Sequence, residues 1–120
     1  MERIRVITHQ GQRILLVDCT NCNPEEVAQI ADQVPKTVAQ EPLGSVLLLA
    51  DFTDSHLTRQ AMERVKIAAV FDRRHLKRSA WVVTGNLPPP AHDAVQKFSA
   101  RKIPTFGTRE EAMDYLVQGG

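Results

Sequence analysis

The sequence predicts an α/β fold. It reads as a single domain over residues 1–120, with a mixed, mostly parallel sheet of about five strands, an N-terminal hairpin, and helices packed on the sheet. Three observations carry this. Val46, Leu47, Leu48, Leu49 and Ala50 run without polar alternation, so both faces of that strand must be covered, as in the centre of a parallel sheet. The opening residues alternate and turn on a glycine. After them, helical and strand patterns alternate to the end of the chain.

The elements follow in order. Ile4 and Val6 alternate with Arg3 and Arg5, and RILLVD at residues 13–18 is a second strand, joined to the first through HQGQ by a hairpin on Gly11. Beyond Asp18, Asn23 can cap a helix, Pro24 suits its first position, and Glu25 and Glu26 suit the positive end of its dipole. Val27, Ile30, Ala31 and Val34 form its inward stripe, and Pro35 is expected to kink or end it, leaving residues 36–39 as a further turn. After the strand at 46–50 come Thr58 as a cap, a staple of Leu57 on Met62, and a helix carrying Ala61, Val65 and Ala68 to about Phe71. AWVVTG at residues 80–85 is a third buried strand, and Pro88 to Pro90 open a helix with Ala91, Ala94, Val95 and Phe98 on one side. KIPTF is a short strand, and Thr108 with Glu111 makes a capping box for a last helix offering Ala112, Met113, Tyr115 and Leu116.

Composition limits the function classes. Fifteen Lys and Arg against fourteen Asp and Glu leave a formal charge of +1, so no general attraction to nucleic acid or an anionic membrane is implied. One Trp and one Tyr are few for stacking on bases. No apolar run is long enough to span a bilayer, the first residues lack the apolar core of a signal peptide, and a cytoplasmic location is expected. Neither a dinucleotide, P-loop nor nucleophile-elbow motif occurs, and no cofactor is called for. His9, His56, His75 and His92 are scattered, and Cys19 with Cys22 falls short of the four ligands of a structural zinc, so no metal site is expected.

In a parallel sheet, ligands meet the chain beyond the carboxyl ends of the strands. That rule gathers Asp18, Asp51, Thr84 and the turn at residues 105–107 on one edge, with Thr53, Asp54 and Ser55 in the loop after the central strand, as a candidate surface for a protein partner or small ligand. All of these are also ordinary cap and turn residues. A second candidate is Arg73, Arg74, Lys77 and Arg78, four cations in six residues, able to dock an acidic partner or to lie solvated in a turn.

The stretches RILLVDCTNCNPEEVAQIADQV, LLLADFTD and AVQKFSARKIPTFGTREEAMDYLV, in this order and spacing, resemble the STAS domain in its divergent SpoIIAA-like branch, over about residues 10–117. The resemblance implies a non-enzymatic regulatory or interaction domain, with an oligomer open to it. In anti-sigma-factor antagonists of that family, an Asp-Ser-Ser-Gly segment after the third strand is phosphorylated on serine. Here Arg59, Gln60 and Ala61 fall roughly where that segment belongs, leaving Ser55 and Thr53 as the nearby hydroxyls for such a switch. The alternative is a thiol-disulfide oxidoreductase, or another small enzyme, using Cys19 and Cys22. The pair has the CxxC spacing between a strand and a helix, and Ile103-Pro104-Thr105 resembles a thioredoxin-like tripeptide.

Overall fold

A computed structural model describes residues 3–56, 58–83 and 104–118, without the side chains of Val70 and Phe71. The expected helix after Pro88, the staple residue Leu57 and the candidate site residue Thr84 lie outside the described residues. Strands β1 (Ile4–His9), β2 (Gln12–Asp18), β3 (Val46–Asp51), β4 (Leu76–Val82) and β5 (Thr105–Phe106) form one sheet in that spatial order. The β1–β2 pair is antiparallel and the remaining pairs are parallel. Gln10 and Gly11, with φ of 50° and 79°, make the two-residue turn between His9 and Gln12, the left-handed geometry that matches strand twist in a tight hairpin.

Side-chain alternation divides the core between the two faces of the sheet. Leu15, Val17, Leu48, Ala50 and Trp81 face helices α1 (Pro24–Val38) and α2 (Arg59–Asp72). Ile14, Leu16, Leu47, Leu49, Ala80 and Val82 face the other way, with Ala112 and Leu116 of α3 (Arg109–Val117) in the same cluster. Every residue of β3 is buried, as its unbroken apolar run requires.

The caps act as their residue types dictate. The Asn23 side chain accepts from the Glu26 N–H at 2.8 Å while the Asn23 N–H donates to Glu26 Oε1 at 3.1 Å. Thr58 accepts from the Ala61 N–H, and Thr108 from the Glu111 N–H. Pro35 corrects the expected end of α1, because the helix runs through it to Val38. Proline forfeits the N–H bond to the preceding turn, yet the Pro35 carbonyl still accepts from the Ala39 N–H at 2.9 Å, and Val38 is fully buried. Burial of that valine contributes about 1.5–3 kcal/mol toward offsetting the proline's cost of about 3.

Candidate functional site

Asp18 and Asp51 end adjacent parallel strands and are register partners. The chain leaves both strands in the same way. In Asp18-Cys19-Thr20-Asn21-Cys22 and in Asp51-Phe52-Thr53-Asp54-Ser55, the carboxylate Oδ1 accepts from the N–H and the hydroxyl of the threonine two residues on. The distances are 3.0 and 2.6 Å in both loops. The fourth residue of each, Asn21 or Asp54, has φ of 56°, a left-handed position that Asn and Asp tolerate better than other side chains. The fifth is buried and turned back on its own loop: Ser55 Oγ donates to the Phe52 carbonyl at 2.7 Å, and Cys22 Sγ to the Thr20 carbonyl at 3.6 Å.

Backbone bonds zip the two loops together beyond the sheet. The Cys19 N–H donates to the Asp51 carbonyl at 2.8 Å, the Asn21 N–H to the Thr53 carbonyl at 3.0 Å, and the His56 N–H to the Cys22 carbonyl at 2.8 Å. The paired loops leave Asn21, Asn23, Asp54, His56 and Thr58 exposed and Thr20 and Thr53 half-buried.

Three guanidinium groups balance the two carboxylates. Arg109, the first residue of α3, donates from Nε to Asp51 Oδ2 at 2.9 Å, its Nη2 lying 2.8 Å from the same oxygen and 3.9 Å from Asp18 Oδ1. Arg5 donates to Asp18 Oδ2 at 3.3 Å. Arg3 reaches the Thr20 carbonyl at 3.0 Å and stands 3.7 Å from Asp18 Oδ1. Burial pushes the Asp18 carboxyl upward, but the Thr20 hydroxyl and N–H, with Arg109 and Arg5, outweigh it and hold the group below its ordinary value. The aspartates are therefore the foundation of the rim, with their oxygens already occupied by neighbours. The groups left facing outward are the exposed residues above them.

The structure thus brings Asp18, Asp51, Thr53, Asp54 and Ser55 together on one edge. Ser55 is 4% exposed with its hydroxyl committed, whereas the Thr53 hydroxyl is half-buried against Asp51. Sequence reasoning missed Thr20, Arg3, Arg5 and Arg109. Two signals could have found Thr20 and Arg109. The Asp-x-Thr spacing recurs at the ends of both strands, and Arg109 stands in the first turn of a helix, where the dipole disfavours a cation and some other demand must hold it.

Cys19 and Cys22 are free, buried thiols. Burial pushes both upward; Cys22 and Asp18 raise Cys19 further, and Arg3 only partly counters the rise in Cys22. A nucleophilic thiolate needs the opposite direction, so nothing here supports the oxidoreductase alternative. The basic cluster also divides. Pairing skips from Val46↔Leu76 to Leu47↔Arg78, making Lys77 the extra residue of a bulge. Arg78 donates to the Tyr115 carbonyl at 3.0 Å and lies 5.3 Å from the centre of that ring, while Arg73, Arg74 and Lys77 are exposed. Among the described residues, no cluster of three or more His, Cys, Asp or Glu could hold a metal ion, and no helix is long and apolar enough to cross a membrane.

No protein-family model matches the sequence, and no curated protein matches it. A solved structure does: an uncharacterized protein of the DUF3478 family from Shewanella loihica PV-4, described as having a SpoIIAA-like fold, is similar with a TM-score of 0.67 at 17% identity. The similarity covers 94% of this chain and 91% of that one. With the strand order and the two-sided helix packing, it establishes that this chain has a SpoIIAA-like fold.

Proposed function

We propose that the chain is a non-enzymatic regulatory or interaction domain of the STAS/SpoIIAA-like type, acting in the cytoplasm, which binds a partner protein or small ligand at the strand-end edge. One observation carries the reading. Two loops of matched conformation are locked to each other and to three arginines, so the exposed groups above them are held at fixed spacing before any partner arrives. Preorganisation of this kind lowers the ordering cost of binding. Catalysis draws no comparable support, since the two strand-end carboxylates are already held by hydrogen bonds and the thiols are shifted away from reactivity. A phosphoryl group on Thr53 would set about two negative charges against Asp51 and break the bond that holds the loop, so modification there would act by opening the rim.

The test uses capture from native cell lysate with three forms of the protein. Asp54→Asn with His56→Ala alters only exposed groups, and Asn keeps the left-handed backbone at position 54. The proteins captured by the wild type are expected to be lost by this rim variant. They should be kept by Arg73→Ser with Arg74→Ser and Lys77→Ser, with thermal unfolding of both variants unchanged within about 0.5 kcal/mol. Loss by the basic-turn variant alone would transfer the function to that turn.

A further inference from the structure

Strand β1 is an edge of the sheet, with β2 on one side and no strand of the described residues on the other. The Asp18 N–H donates to the Arg3 carbonyl at 2.7 Å, so the backbone of Arg3 points toward β2. Ladder alternation then turns the backbone of Arg5, Ile7 and His9 the same way, and the N–H and C=O groups of Ile4, Val6 and Thr8 outward. Among the described residues none of these outward groups has a partner. The two edges of the sheet are guarded differently. β5 is two residues long, too short to template a strand, whereas β1 pairs through all six of its residues without a bulge and contains neither proline nor lysine. The cations near this edge are drawn to Asp18, Arg5 at 3.3 Å and, just before the strand, Arg3 at 3.7 Å. In the middle stands Val6, an apolar side chain left 49% exposed.

We propose that β1 pairs with β1 of a second copy of this chain, antiparallel about a two-fold axis at Val6, making one sheet continuous across both copies. The strand is self-complementary in this register. Val6 lies opposite Val6 of the second copy and Ile4 opposite Thr8, each pair joining outward N–H to outward C=O groups. Arg5 lies opposite Ile7, whereas moving the axis by one residue, to Arg5, would set two guanidinium groups against each other. Charge favours the same register at the ends. Arg13, across the ladder from Thr8, is exposed and has no ion-pair partner among the described residues. The two-fold carries it toward the surface hollow beside Ile4 of the second copy, whose α1 margin bears Glu26. The interface takes one strand from each copy, well under the roughly 20–30 residues a side of a standard complex, so the dimer is weak and its population follows concentration. This surface is separate from the strand-end rim, and antiparallel pairing sets the two rims at opposite ends of the joined sheet.

Sedimentation equilibrium of the full chain is the experiment. The wild type is expected to dimerise with Kd on the order of 0.1 mM. Val6→Lys and Val6→Glu each set like charges face to face at the axis and should weaken association about tenfold or more, while an equimolar mixture of the two variants should recover it as a heterodimer. Ile67→Lys, which puts a charge at an exposed position on α2, should leave association unchanged. Should either Val6 substitution unfold the chain, Thr8→Pro takes its place: it removes an outward N–H and no bond to β2, and should weaken association by about the same factor. A wild type that stays monomeric at about 1 mM would overturn the proposal, leaving the edge closed by the chain itself or open to a strand of another protein. Dimers of Val6→Lys as tight as those of the wild type would place the contact elsewhere, and a mixture of the two variants that stays monomeric would reject the axis at Val6; either result overturns it as well.

Discussion

Asp51→Ala is expected to destabilise the protein by about 2–4 kcal/mol, the cost of breaking a buried, hydrogen-bonded ion pair from one side. The side chain is 4% exposed and receives the Thr53 N–H, the Thr53 hydroxyl and two nitrogens of Arg109. Its loss frees the loop after β3 and removes the contact that ties the start of α3 to the sheet edge. Part of the cost is spared because Arg109 is 34% exposed and can turn to water. Urea unfolding at neutral pH measures it: the midpoint should fall at constant slope. A fall of less than about 0.5 kcal/mol would mean that the pair is no more than a surface salt bridge. Asp54→Asn, three residues on and exposed, should by contrast leave the midpoint where it is.

The second large effect has the opposite sign. Burial raises the Asp72 carboxyl from 3.8 to about 6, with His75 nearby only partly offsetting it. A folded-state acid with a raised value binds protons more readily than the unfolded chain, so stability falls as pH rises from about 4 to about 6 and is flat above. At 1.36 kcal/mol per pH unit the loss is about 3 kcal/mol at neutral pH. Asp72→Asn should therefore stabilise the protein by up to about that amount at pH 8, and the gain should vanish near pH 4. Thermal unfolding of both forms across this range is the measurement. A difference independent of pH would show that the carboxyl is solvated in the folded state.

Much of the fold is written locally. The apolar run of β3 has no other placement than the sheet centre, and Asn23-Pro24, Thr58 and Thr108 mark helix starts through bonds within four residues of themselves. What escaped reading depends on contacts distant in the chain. Pro35 reads as a stop until Val38 is seen packed against the core. Arg78 reads as one cation of a cluster until the bulge at Lys77 turns it onto Tyr115. Arg109 is separated by 58 positions from the carboxylate it neutralises, and no local pattern connects them. The edge itself was legible because Asp18 and Asp51 end apolar runs. That these aspartates support the rim rather than face outward follows only from the threonine hydroxyls and guanidiniums that occupy them.

The claim that the strand-end rim is the working surface is tested most directly by amide hydrogen exchange with and without a partner protein recovered by the capture experiment. The account predicts added protection at the amides of residues 20–23 and 53–56, and no change in the turn at Arg73, Arg74 and Lys77. Protection gained at that turn, with exchange in the two strand-end loops unaltered, would contradict it.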